Sequence, residues 1–353
     1  MNILEHERLE TDEAPGGASP FEGTPGGSPS SSGKGIVHVA RYNHGGQYVL
    51  TGGQDRTIRL WNAQSGKFVK DYTGHGYEIL GIAVSPNNSF IGSVGGDRSV
   101  FYWDVSTGAI LRRFSGHTGV VNACSFNFDG NLLISGSFDA SVRVWDIKSQ
   151  QRHPIQIFQD AKDSITCIIL SGNEFITGSV DGYVRSYDSG GFFIKKSSTV
   201  LILLYIYIYV NKDPVTSIHL LKDCKTMTVA TLNSTIRLMD RERGEMLQKF
   251  TGHRGLNYRS QTSMSYDEAQ VLAGDEDGLL WAWDLESVSQ ISFPLLSRLK
   301  GSHQLLLIQG KKNRAMSFDA HKKHVTWVEC HPKSNCLITA AADGFIRLWN
   351  LGK

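Results

Sequence analysis

Residues 116–146 read GHTGVVNACSFNFDGNLLISGSFDASVRVWD, and the chain repeats this unit. It opens with Gly116-His117 and closes with Trp145-Asp146. Val121, Cys124 and Phe126 mark a first apolar run whose uneven spacing fits a strand carrying a bulge. Asp129-Gly130-Asn131 supplies hairpin-turn residues that tolerate positive φ. Leu132 to Ser135 then reads as a second strand, Ser137 to Ala140 as a turn, and Ser141 to Trp145 as an alternating third strand.

His117, Ser135, Asp139 and Trp145 form a set that invites two readings. One is the Ser-His-Asp group of a hydrolase. The other is a structural chain: the acid holds the imidazole, the imidazole bonds the hydroxyl, and the hydroxyl caps the indole N–H. The same types return at the same offsets as His75, Ser93, Asp97 and Trp103, and as His321, Thr339, Asp343 and Trp349. A catalytic site is built once, whereas a packing device is copied into every repeat. The structural reading is therefore preferred, since buried polar groups must be paired.

Repeat ends fall at Trp61, Trp103, Trp145, Tyr187, Met239, Trp283 and Trp349, giving spacings of 42, 42, 42, 52, 44 and 66 residues. Six positions earlier stand Asp55, Asp97, Asp139, Asp181, Asn233, Asp277 and Asp343. A shared period in several independent markers signals a repeat architecture. Repeats one, four and five lack the Gly-His, having Gly33, Ala161 and Asn211 near that place, so those units are expected to be less rigid. The sixth blurs the first-strand pattern.

These markers resemble the WD-repeat family over roughly residues 35–350. The resemblance implies an all-β, seven-bladed β-propeller of four-stranded blades. Stacking seven small twisted sheets would cover nearly all of their apolar faces. The segments GGQDRTIRLWN, GHGYEIL, GGDRSVFYWDVSTG, SGSFDASVRVWD, GSVDGYVRSYD and LNSTIRLMDRERGE, in this order, are similar to the mitogen-activated protein kinase organizer branch of that family. That likeness implies a scaffold for the extracellular-signal-regulated kinase cascade. It also implies an association with pre-mRNA splicing proteins, the alternative reading. A monomer within larger complexes is expected, cytoplasmic and nuclear, without catalysis or cofactor.

The net charge of +2 and pI near 8.2 give no argument for nucleic acid. Cys124, Cys167, Cys224, Cys330 and Cys336 form no CxxC pair and read as reduced residues, not zinc ligands. No Walker loop, HExxH, GxSxG or kinase signature set is present, so neither a cofactor nor a metal is expected. The opening MNILEHERLETDE carries no secretory signal pattern. Residues 1–33 are acidic and then Gly/Ser/Pro-rich, the composition of a disordered tail, which leaves 34–353 for the propeller.

Two places break the period. Val200 to Val210 (VLILLYIYIYV) lies in an excess expected near 197–211, and its length is about half that of a membrane-spanning helix. Its Tyr-Ile alternation is what a TATATA repeat would encode, so it reads as translated non-coding sequence whose removal leaves the fold intact. The second excess, near 289–316, carries Arg298, Lys300, Lys311, Lys312 and Arg314 without an acid among them. It reads as a solvated loop, with direct nucleic-acid contact disfavoured because interleaved aromatics are absent.

Partner-binding residues are expected where the loop after each Gly-His meets the position before each turn acid. Those positions hold Gln54, Tyr77, Glu78, Phe138, Arg254, Tyr258, Lys322 and Lys323. Tyrosine, phenylalanine and clustered cations suit a protein-docking surface for an acidic partner. The final blade is expected to have an unpaired edge unless residues near Met1 to Leu4 fold back onto it.

Overall fold

A computed structural model describes residues 35–188, 204–210, 212–285, 306–309 and 314–350, and the expected tail 1–33 lies outside them. The protein is all-β, a seven-bladed β-propeller. Blade 1 comprises β1 Val37–Tyr42, β2 Tyr48–Gly53, β3 Thr57–Asn62 and β4 Phe68–Thr73. Blade 2 comprises β5 Ile79–Val84, β6 Phe90–Gly95, β7 Ser99–Asp104 and β8 Ile110–Ser115. In blade 3 come β9 Val121–Phe126, β10 Leu132–Ser137, β11 Val142–Asp146 and β12 Gln156–Phe158. Blade 4 has β13 Ile165–Ser171, β14 Glu174–Ser179, β15 Tyr183–Asp188 and β16 Leu204–Tyr209. Blade 5 follows with β17 Val215–Leu220, β18 Thr226–Thr231, β19 Thr235–Asp240 and β20 Met246–Thr251. Blade 6 contains β21 Thr262–Met264, β22 Gln270–Gly274, β23 Leu279–Asp284, β24 Leu306–Gln309 and β25 Arg314–Asp319. The last blade has β26 Val325–Cys330, β27 Cys336–Ala341 and β28 Ile346–Asn350. Each sheet runs antiparallel in chain order, except that β25 inserts between β23 and β24.

The chain divides into two compact units, one from Gly74 to Arg259 and the other made of the residues before and after it. In the first, blades 2 to 5 hold their cores between sheets. Leu133, Trp145 and Phe126 of blade 3 pack with Val94, Phe114 and Tyr102 of blade 2. Blade 3 meets blade 4, and blade 4 meets blade 5, through similar clusters. Close approach requires glycine in the second strand. A Cβ on Gly136 would sit 2.5 Å from Ile165 Cγ2, and one on Gly178 would sit 2.6 Å from Val215 Cγ1. In the second unit, blades 6 and 7 share a core that includes Leu272, Leu280, Phe318, Val325 and Leu337.

The bulge expected in the first strand is present at the same place in six blades among the described residues. The extra residue is His38, Leu80, Asn122, Thr166, Thr216 or Thr326. Three of these reach the next blade. Asn122 Nδ2 donates to the Ile165 carbonyl at 2.8 Å, and Thr166 Oγ1 to the Val215 carbonyl at 2.6 Å. Thr326 Oγ1 donates to the Val37 carbonyl at 2.6 Å. A bulge frees one residue from the ladder, and its side chain is then available as a bridge.

The segment 204–209 overturns the expectation of an insert outside the blades. It is the fourth strand of blade 4, with Tyr183 paired to Tyr209 and Val184 to Ile208. The physical reason is its alternation: Ile208 is 4 % exposed in the core shared with blade 5, whereas Tyr209 is 50 % exposed. A strand with one buried and one wet face needs this pattern. Likewise 306–309 and 314–319, parts of which fall in the second expected insert, are strands of blade 6. The basic residues Arg298, Lys300, Lys311 and Lys312 lie outside the described residues. In the last blade three strands are described, so the expected fold-back of Met1 to Leu4 also lies outside them.

Candidate functional site

Every blade turns sharply between its second and third strands, at the turn acid. The residue after it has positive φ in all seven: Arg56, Arg98, Ala140, Gly182, Ser234, Gly278 and Gly344, among the described residues. A non-glycine residue in this region pays a steric cost, so the turn must be held by its surroundings. The acid itself provides the hold. In blade 3 Asp139 Oδ1 accepts the Ser141 N–H at 3.0 Å, while Oδ2 accepts the Thr118 N–H at 2.9 Å and lies 3.0 Å from His117 Nδ1.

From that acid a chain runs into the blade. His117 Nε2 is 2.8 Å from Ser135 Oγ, and the Trp145 indole N–H donates to the same oxygen at 2.8 Å. Blade 2 repeats this with His75, Asp97, Ser93 and Trp103, at 2.7, 2.7 and 2.8 Å. Blade 7 does so with His321, Asp343, Thr339 and Trp349, the imidazole lying 2.7 Å from the hydroxyl and the indole 2.9 Å. The order Asp–His–hydroxyl matches a hydrolase triad, but the chemistry does not follow. Ser93, Ser135 and Thr339 are fully buried, and each oxygen already accepts an indole N–H. No acyl group can reach such a nucleophile.

Electrostatics agree with neutral imidazoles bonded to carboxylates. Burial pushes the Asp139 carboxyl up, but the hydrogen bonds from His117, Ser141 and Thr118 outweigh it and hold it well below the usual range. Asp97 and Asp343 are lowered by the same balance, burial again opposing. For His117 and His321, burial outweighs the pull of the acid and the pKa falls.

Blades without the histidine are braced differently. The Arg four residues after the turn acid takes over. Arg185 Nη1 and Nη2 grip Asp181 at 3.1 and 2.6 Å, and Arg59 pairs with Asp55 in blade 1. In blade 5 Arg237 donates to Thr231 at 2.8 Å, and the Asn233 amide donates to Asp213. Blade 6 keeps its histidine, His253, but has Trp281 in place of the Arg, its indole N–H donating to the buried Asp275 at 2.8 Å. The Arg was visible in the sequence as the R of IRLW, VRSY and IRLM, although Arg143 and Arg347 hold the same place in blades 3 and 7, which keep the histidine.

Among the expected docking residues of the Gly74–Arg259 unit, Tyr77 is 63 % exposed, Phe138 67 % and Tyr258 53 %, and Arg254 is also exposed. Glu78 is half-buried. All five lie at the turn-acid end of their blades. The Glu78 carbonyl accepts the Gly96 N–H at 3.0 Å, and the Phe138 N–H donates to Val120 at 2.8 Å. The loop carrying Arg254 and Tyr258 is tied to the blade 5 turn by Gly255 N–H to Ser234 Oγ at 2.9 Å. In the other unit Gln54, Lys322 and Lys323 are exposed at the same end of blades 1 and 7. A residue without periodic signal, Arg259, closes the same loop and reaches the Asn122 carbonyl.

All five cysteines are free thiols, and among the described residues no cluster of His, Cys, Asp and Glu could hold a metal ion. No described helix is long and apolar enough to cross a membrane.

The pattern described as WD domain, G-beta repeat matches residues 25–62, 66–104, 108–146 and 312–350. The chain is 49 % identical over 263 residues to an uncharacterized WD repeat-containing protein of Schizosaccharomyces pombe, covering 74 % of this chain and 84 % of that one. It is 43 % identical over 317 residues to WD repeat domain-containing protein 83 of Rattus norvegicus, covering 90 % and 89 %. With the Homo sapiens protein of that name it shares 40 % over 318 residues, again covering 90 % and 89 %.

Proposed function

Since the chain belongs to the WD-repeat family, we propose that it is a non-catalytic scaffold that assembles proteins of the extracellular-signal-regulated kinase cascade. The observation that carries the reading is the pair of exposed aromatics, Tyr77 and Phe138, beside backbone-clamped turns at one end of neighbouring blades. Aromatic side chains on a rigid support lose little entropy on binding and dominate interface energetics. Arg254 supplies positive charge at the same end, which suits an acidic partner. The choice of cascade rests on the resemblance of the blade segments to the organizer branch. Its setting is proposed to be cytoplasmic and nuclear, where unbridged thiols persist.

Replacing Tyr77, Phe138 and Arg254 together by Ala tests this reading. Pull-down of kinase-cascade components is expected to be lost while the thermal transition stays nearly unchanged. Full capture by the folded triple variant would move the docking surface elsewhere on the blades.

A further inference from the structure

The packing of the Gly74–Arg259 unit leaves most of the donors of Arg259 unused. A guanidinium carries five N–H donors. Among the described residues Arg259 makes one hydrogen bond, a long one of 3.4 Å from Nη1 to the Asn122 carbonyl, and no ion pair. The Asn122 amide is already committed to Ser164 Oγ and the Ile165 carbonyl. The titratable group acting on Arg259 is the Cys167 thiol, which burial keeps protonated and neutral. Arg259 is half-buried, and a partly desolvated cation without an anion is costly, which marks it as a place where a ligand can supply the missing charge.

We infer that Arg259 is the anchor for a single carboxylate side chain of an acidic peptide on the partner protein, held bidentately at the turn-acid end of blades 3 and 4. The inference rests on the scaffold reading and names the chemistry its surface takes. Asn122 is the bulge residue at the start of the first strand of blade 3, next to the turn bearing Phe138, so the guanidinium and the exposed ring share that end. The loop is fixed to the blade 5 turn at Gly255, so Arg259 is positioned before a partner arrives. Charge selects the ligand. One guanidinium balances one carboxylate, whereas a phosphoryl group near −2 would leave a desolvated negative charge.

The test uses the full chain on an array of Ala/Ser/Leu dodecapeptides whose central residue is Glu, Gln, phosphoserine or Lys. Wild type should retain Glu peptides over Gln peptides by about tenfold or more. Arg259→Gln should erase that preference, and Arg259→Lys, which keeps charge but loses the fork, should retain part of it. The melting temperature of Arg259→Gln should hold or rise, because an uncompensated charge is removed. Equal retention of Glu and Gln by wild type overturns the inference, as does a preference that survives Arg259→Gln. Stronger retention of phosphoserine overturns the carboxylate assignment. If Arg259→Gln fails to fold, Arg259 is structural and the inference falls with it. A Glu preference that persists while kinase-cascade capture fails leaves this anchor standing and removes only the choice of cascade.

Discussion

The hydroxyl of Thr326 donates to the carbonyl of Val37 at 2.6 Å, joining the last blade to the first across 289 residues of sequence. Thr166 makes the same bond to Val215 between blades 4 and 5. A side chain at the bulge of one first strand thus carries the join to the first strand of the next blade.

Thr326→Val keeps the shape and removes the donor. It should lower stability by about 1–3 kcal/mol, the cost of leaving a buried carbonyl without its partner. Denaturant unfolding measures the change. An unchanged midpoint and slope would show that the join does not contribute.

His117→Ala should destabilise by about 1–3 kcal/mol, because Asp139 and Ser135 both lose their central partner. The variant should show no accompanying loss of a hydrolytic turnover. An esterase signal in wild type that vanishes in a stable His117→Ala protein would revive the triad.

Arg185→Met should cost more, roughly 3–5 kcal/mol, since it strips a buried Asp181 of its bidentate partner. Equilibrium unfolding compares it with His117→Ala. If the arginine brace matters less than the histidine chain, the order of the two losses will be reversed.

Stability should fall as pH drops below about 6.5, where unfolded imidazoles begin to take up protons. Burial lowers His117 and His321 and pushes His253 down to about 4, so in the folded state they resist protonation. A pKa depressed by folding contributes stability that is complete above the unfolded value and is lost as pH falls through the folded one. The lowered Asp97, Asp139 and Asp343 add a second loss that begins near pH 4. Melting temperatures recorded from pH 8 to 4 should decline throughout the acid half. A flat curve down to pH 5 would contradict the lowered imidazoles.

Ile208→Ala should cost about 2–5 kcal/mol if 204–209 is the fourth strand of blade 4, while Tyr209→Ala on the wet face should cost far less. Chemical denaturation of the two variants side by side checks it. Equal, negligible losses would return the segment to the status of a dispensable insert.

The residues proposed for docking were legible as types at repeat positions, because the offset from the turn acid places them at one end of a blade. Arg259 was not legible, since a residue outside the period has no copy in the other repeats to mark it. The bracing of blades 1 and 4 was half legible. The missing histidine was plain, but Arg59 and Arg185 as its replacements depend on a side chain folding back across four residues.

By itself the sequence determined the number of blades, the turns and the histidine chains. Those features are local and copied, so their spacing encodes their geometry. The tertiary structure alone decided that Ile208 is buried and Tyr209 exposed, because alternation in a strand shows two faces without saying what covers either. It also decided what Arg259 meets: Asn122 stands 137 residues away, and such contacts arise only when blades are set side by side.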